Sequence, residues 1–202
     1  MTSTLVLASA SPRRQGILRN AGIPFVVHAT NIPETPRQGE RPRNCAERLA
    51  RDKARAVFHH RPDDFVLGAD TIVVVDDRIL GKPRDESDAA RMLRLLSGRT
   101  HHVITAVCLI GPASKTGNRK LKPSFEDMRS ERTLVTMSEL TDEHIRRYIA
   151  TGESVDKAGA YAIQGIASRW IPRIEGDYFN VVGLPVSLVY QMLREHGLAS
   201  GN

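Results

Sequence analysis

Phe65-Val66-Leu67-Gly68-Ala69-Asp70-Thr71-Ile72-Val73-Val74-Val75 is the most β-prone run in the chain. β-Branched residues crowd its second half, and such side chains suit a pleated, packed surface better than a helix. Gly68-Ala69-Asp70 reads as an interruption of the run. Behind it, Asp76-Asp77 reads as a turn leading to a return strand at Ile79-Leu80, and Pro83 ends the unit.

Outward from this centre, the segments alternate in period. Downstream, Ser87 to Ser97 is an amphipathic helix with Ala90, Leu93 and Leu96 on its apolar face, closed by Gly98. His102 to Ile110 is a strand. Residues 111–129 hold two Gly, two Pro and several Lys without a hydrophobic period, which predicts a loop or mobile insertion. Arg132 to Met137 is a strand, and Thr141 caps a helix to Ala150. Strand-like pieces follow at Trp170 to Ile174 and Val181-Val182, and Leu184-Pro185 opens the last helix.

Upstream, Thr4 to Ala8 is a strand that runs into Ser11-Pro12, a helix start with Ser at the cap and Pro at the first position. Pro24 to His28 is a short strand, and Asn31 to Arg43, with three prolines, is a loop. Asn44 caps a long helix whose inner face is Ala46, Leu49, Ala50, the stem of Lys53, Ala54 and Val57. This alternation around a central strand group predicts an α/β fold, a mixed central sheet flanked by helices.

The composition is that of an ordinary globular protein. At 202 residues the chain fits a single domain, 1–202, with room for a proper core. Two cysteines, Cys45 and Cys108, cannot make a disulfide scaffold, and Cys108 in its apolar strand is expected in the core. No stretch reaches the ~18 apolar residues of a membrane span, so no membrane partner is expected. Leu5 to Ala10 has no preceding Lys or Arg and is shorter than the roughly 7–15 apolar residues of an export signal, so a cytoplasmic location is expected. Lys and Arg exceed Asp and Glu by 29 to 23, a net charge of +6. The arginines are dispersed and not interleaved with aromatics, which argues against a stable nucleic-acid partner and leaves a small anion as the better fit.

Phosphate loops of the G-x-x-x-x-G-K-[ST] type, G-x-G-x-x-G, H-E-x-x-H, C-x-x-C and G-x-S-x-G are all absent. Four turns combine small residues with charge instead. In Ala8-Ser9-Ala10-Ser11-Pro12-Arg13-Arg14 a strand meets a helix N-terminus, where free N–H groups, hydroxyls and guanidiniums suit an anion; an ordinary capped helix with surface arginines is the plain alternative. In Gly68-Ala69-Asp70-Thr71 a carboxylate within a β run could bind a divalent cation, act as a general base, or simply cap a turn. Gly81-Lys82-Pro83 pins an ammonium between two backbone punctuators. In the segment from Asp156 to Gly165, Gln164 can donate and accept together, as reading a base edge requires. The pairs His59-His60 and His101-His102 lack metal-ligand spacing and read as structural or exposed.

Taken in order, LASASPRR (7–14), the helix at Ala50 to Ala54, GADTIV (68–73), GKP (81–83), LSGRTHHVITAV (96–107), DKAGAYAIQG (156–165) and NVVGLP (180–185) resemble the Maf nucleoside triphosphate pyrophosphatases over nearly the whole chain. GADT and DKAGAYAIQG resemble the branch acting on dTTP and UTP; other branches, for 7-methyl-GTP or CTP, differ there. The resemblance implies an elongated two-lobed fold like that of the inosine triphosphatases, with a cleft between lobes. It implies hydrolysis between the α- and β-phosphates, a divalent cation (Mg²⁺ or Mn²⁺) and often a homodimer. By the same resemblance Asp70 is the catalytic carboxylate, and Arg13, Thr71 and Gln164 are specificity positions. Ser11, Lys53 and Lys82 are further substrate contacts, and Glu34 with Asp70 is the metal pair. Stretch 111–129 is longer than the family pattern. A nucleic-acid-binding module and a regulatory protein linked to septum formation are the rival classes.

Overall fold

A computed structural model describes residues 4–113 and 122–198. Its frame is a seven-stranded mixed sheet. β1 (Leu5–Leu7) pairs in parallel with β2 (Val26–Val27) and with the long β3 (Phe65–Val75). β4 (Arg78–Leu80), β5 (Thr100–Ile110), β6 (Glu126–Thr136) and β7 (Arg173–Glu175) are added antiparallel, in the order β2-β1-β3-β5-β6-β7 with β4 also on β3. Six helices flank the sheet: α1 (Pro12–Asn20), α2 (Pro42–Phe58), α3 (Glu86–Leu96), α4 (Asp142–Ile149), α5 (Tyr178–Val182) and α6 (Val186–Glu195). The α/β class with a mixed central sheet flanked by helices is therefore what the chain adopts. Among the described residues, no helix is long and apolar enough to cross a membrane.

The period of two divides β3 between two cores. Leu67, Ala69, Val73 and Val75 join a cluster with Ile17 and Leu18 of α1, Leu93 of α3, Tyr148 of α4 and Val189 of α6. Val66, Ile72 and Val74 join the opposite cluster, built with Ala46, Ala50, Ala54 and Val57 of α2. Asp70 follows the second register and Thr71 the first, so neighbouring polar side chains leave β3 on opposite faces.

β3 is continuous where the sequence suggested a break. Gly68, Ala69 and Asp70 pair with Cys108, Val107 and Ala106 of β5. Gly68 is there for proximity: a Cβ on it would lie 2.2 Å from the Ala50 carbonyl oxygen and 2.8 Å from the Ala54 nitrogen. The alanine stripe of α2 thus rests directly on the strand backbone.

Other boundaries also shift. α2 begins at Pro42 behind an extended Arg41, not at Asn44, because proline at the first position needs no N–H partner. Residues 126–129, assigned to the 111–129 loop, open β6. Their charges conceal the strand: Glu126 pairs with Arg51 and Arg55 of α2, and Asp127 with Arg129 and His196. Residues 114–121 of that stretch lie outside the described residues. Val181-Val182 is helical, in α5, because the Asp177 side chain caps Phe179 and Asn180. Of Trp170 to Ile174, the start closes a 3₁₀ turn (Ile166–Trp170) and only Arg173 and Ile174 enter β7. The Asp76-Asp77 turn matches the reading, with both residues at positive φ (49° and 57°), as tight hairpins require.

The topology leaves one gap. β5 pairs with β3 along Val66 to Val74 on one edge. On the other edge β1 reaches only Leu67 and β4 begins only at Val73. Between them, among the described residues, Gly68 to Ile72 has no neighbouring strand on this edge, and a cleft lined by Asp70 opens there.

Candidate active site

A cavity of about 920 Å³ fills that gap. Ser11, Arg13, Glu34, Lys53, Asp70, Thr71, Lys82 and Gln164, from six separate stretches of chain, all line it. Each is held in place by local structure. β1 delivers the chain to Ser11, whose hydroxyl caps α1 by accepting from the Arg14 N–H (3.5 Å). α1 therefore directs its N-terminus, and with it the positive end of its dipole, toward the cavity. Glu34 sits on a loop strapped to α2: Arg48 grips both oxygens of Glu40 at 2.7 Å and donates to the Thr35 carbonyl at 3.2 Å.

The Gln164 loop is tied at several points. Tyr161 bonds His101 (2.8 Å), the Ala162 N–H donates to the Tyr148 hydroxyl (3.1 Å), and Gly159 N–H donates to the Gly81 carbonyl beside Lys82 (3.1 Å). His101 is buried, and burial pushes its imidazole down to about 4, so it stays neutral there. Gln164 itself is exposed at the cavity.

Lys53 and Asp70 are each only 6% exposed. The Lys53 Nζ lies 2.6 Å from Asp70 Oδ1 and 2.5 Å from Glu34 Oε1, and Lys82 Nζ lies 2.7 Å from Glu34 Oε2. The close seat of α2 on Gly68 is what brings Lys53 to Asp70, one pleat further along the same face. Among the described residues Oδ1 of Asp70 carries the Lys53 hydrogen bond and Oδ2 carries none, so Oδ2 is the oxygen open to water.

The two carboxylates are driven apart in acidity. Burial raises Asp70 above the usual carboxylate range, against the pull of Lys53 and Arg14. Burial also acts on Glu34, but the charges and hydrogen bonds of Lys53 and Lys82 override it and hold Glu34 at about 2. Two carboxylates bridged by one ammonium therefore differ in acidity through their surroundings alone.

Arg14 is a residue that sequence reasoning passed over in favour of Arg13. It turns inward and donates to the Gly183 carbonyl (2.8 Å), Ser9 Oγ (3.1 Å) and Thr71 Oγ1 (3.1 Å), all neutral acceptors. Burial lowers its guanidinium, with Asp70 and Glu34 pulling the other way. Arg13 and Arg14 share the first turn of α1, where long side chains fold back toward the N-terminus, so the sequence does not distinguish the one that turns inward. Arg84, Asp156 and Lys157 also line the cavity. Asp156, at φ 60°, offsets the burial that lowers Arg13. In all, six cationic and three acidic side chains line it, a surplus suited to a polyanion.

Cys45 and Cys108 are buried free thiols, pushed up by burial to about 11 and about 12, so neither is a nucleophile. Among the described residues no three His, Cys, Asp or Glu side chains converge as a self-sufficient metal site. Glu34 and Asp70, spanned by one ammonium, fit a hard cation that takes one or two carboxylates and completes its shell with phosphate oxygens and water.

Similarity to known proteins follows the same residues. The profile of the Maf-like protein family matches residues 4–196. A protein of Koribacter versatilis (strain Ellin345) is 56% identical over 194 residues, covering 96% of this chain and 95% of its own. A Geobacillus sp. (strain WCH70) protein is 47% identical, covering 96% and 98%, and one from Geobacter sp. (strain M21) is 48% identical, covering 99% and 98%. All three bear the name dTTP/UTP pyrophosphatase. With a family profile spanning nearly its full length and relatives this similar from end to end, the chain belongs to the Maf family.

Proposed function

We propose that this protein is a dTTP/UTP pyrophosphatase: it hydrolyses these nucleoside triphosphates between the α- and β-phosphates, to the monophosphate and pyrophosphate. The single observation that carries the reading is a buried carboxylate, Asp70, held 2.6 Å from the Lys53 ammonium in a cleft lined also by Arg13, Arg14 and Lys82. The relatives' shared name supplies the substrate.

A triphosphate brings about four negative charges, which those side chains and the N-terminus of α1 offset. Asp70 Oδ2 orients a water against the α-phosphorus and takes its proton as the P–O bond forms. The bond from the α-phosphorus to the bridging oxygen breaks, and pyrophosphate leaves with that electron pair, its charge held by the basic residues. Lys53 fixes Asp70 in place through Oδ1. Glu34, ionised throughout the neutral range, and Asp70 would hold Mg²⁺ or Mn²⁺ together with phosphate oxygens; when bound, the cation neutralises charge on the reacting phosphoryl group. Gln164 and Arg13 read the pyrimidine edge, directly or through water.

The test is a panel of ordinary and modified nucleoside triphosphates, with Mg²⁺ or Mn²⁺, scored for pyrophosphate. We expect dTTP and UTP to lead by at least about tenfold in kcat/KM, the scale of one base-edge contact. A ranking led by 7-methyl-GTP or CTP assigns another branch's activity. Steeply salt-dependent retention on DNA without pyrophosphate release supports the nucleic-acid alternative.

A further inference from the structure

Behind Thr71 the structure holds a polar chain that runs away from the cleft to β5 and, through Asn180, on to β6. Thr71 of β3 faces Thr105 of β5 in register, with their hydroxyl oxygens 2.9 Å apart. Thr105 is fully buried and does not line the cavity. Its hydroxyl lies 2.8 Å from the Asn180 carbonyl, and its backbone N–H donates to Asn180 Oδ1 at 3.0 Å. Asn180, also fully buried, is locked in turn: its Nδ2 donates to the Val103 carbonyl (3.0 Å) and to Thr133 Oγ1 of β6 (2.9 Å).

A hydroxyl has one hydrogen to give. That of Thr105 goes to the Asn180 carbonyl, since withholding it would leave a buried acceptor short of its bond. The hydrogen between the two threonines then comes from Thr71. Thr71 is left with lone pairs toward the cleft, one of which accepts from Arg14 Nη2. The opposite polarity would send the Thr71 hydrogen to the Gly183 carbonyl, a longer contact at 3.4 Å.

We propose that Thr105 is a positioning residue for nucleotide binding: by taking the hydrogen of Thr71, it turns the Thr71 hydroxyl into a fixed acceptor that aims the Arg14 guanidinium at the substrate's phosphates. The inference rests on the reading of the cleft as a nucleotide site and extends it to a residue that no substrate touches. Thr71 accordingly acts through Arg14, with its own hydrogen spent inside the protein. Among the described residues Arg14 donates to neutral acceptors alone, which leaves its charge for an anion in the cleft.

Steady-state kinetics with dTTP and UTP on Thr105→Val and Thr105→Ser test this, beside thermal unfolding of each variant. Valine keeps the volume and removes the hydroxyl. We expect it to raise KM about tenfold for both substrates and to leave kcat within about twofold, because Arg14 holds charge that ground and transition states share. Serine keeps the hydroxyl and restores KM. The double variant T71V/T105V binds no more weakly than T71V alone, because both remove one relay. If the valine variant does not fold, Thr105→Ala carries the same test. A KM for T105V within about twofold of the parent overturns the proposal, as does equal impairment of the valine and serine variants. A parent protein that releases no pyrophosphate from either nucleotide overturns the functional reading, and the proposal with it.

Discussion

Asp70→Asn is expected to lower kcat for dTTP by about a thousandfold, within the range that a general base contributes, while the protein stays folded and still binds nucleotide. Asparagine matches the volume of the aspartate, and its oxygen can still accept from Lys53 Nζ, so the packing beneath α2 survives. What it lacks is the basicity that burial confers on Asp70. Binding measured without added divalent cation should hold or tighten, because one negative charge leaves a cleft that must accept a polyanion. Rapid-quench turnover and equilibrium nucleotide binding on the same preparation separate the two effects. Near-normal turnover would remove Asp70 from its role; lost binding with intact turnover per bound nucleotide would recast it as a substrate ligand.

The largest structural effect is expected at Gly68. In Gly68→Ala the new methyl would meet the Ala50 carbonyl at 2.2 Å and the Ala54 nitrogen at 2.8 Å, both backbone atoms of α2 that no rotamer change can move. The helix must lift from the strand, at a cost of about 3 kcal/mol by the scale of overpacked cores. Lys53 rides on that helix, so its grip on Asp70 loosens as well. A displacement of order 1 Å at a catalytic group costs about a hundredfold in rate. Urea unfolding and dTTP turnover on one variant read both. Gly16→Ala is the matched control: it sits in α1 with open space around its Cβ and should be neutral or slightly stabilising. If both variants behave like the parent, the close seat of α2 is not what builds the site.

Much of this architecture was legible before any coordinates, where the signal is local. Ser11-Pro12 announced α1 and Thr141 announced α4, because a helix start needs only its own cap. Asp76-Asp77 announced the hairpin, because few residue pairs accept two positive φ angles. The misreadings share the opposite property. Gly68 looked like a break because its purpose, contact with a helix drawn from residues 42–58, is not written in its neighbours. The start of β6, residues 126–129, looked like a loop because ion pairs to α2 and α6 cover much of it in place of apolar packing.

The site divides in the same way. Asp70, Lys53 and Lys82 could be picked out within ordered motifs and Glu34 through the family resemblance alone, and the fold links them in a chain from Asp70 to Lys53 to Glu34 to Lys82. Why they meet is a fact of topology: β1 and β4 leave the middle of one edge of β3 uncovered. Arg14 escaped because the sequence does not say which of two adjacent arginines turns inward. Thr105 and Asn180 escaped although they lie within LSGRTHHVITAV and NVVGLP, because membership of a motif assigns neither a role, and only their hydrogen bonds reveal the relay.

Attack by water on the α-phosphorus, directed by Asp70, is the claim on which the rest depends. Turnover of dTTP in water enriched in ¹⁸O, with both products examined by mass spectrometry, tests it most directly. The label is expected in the monophosphate and absent from the pyrophosphate, since the new P–O bond forms on the sugar side of the bond that breaks. Label in the pyrophosphate would place the attack on the β-phosphorus and contradict that assignment.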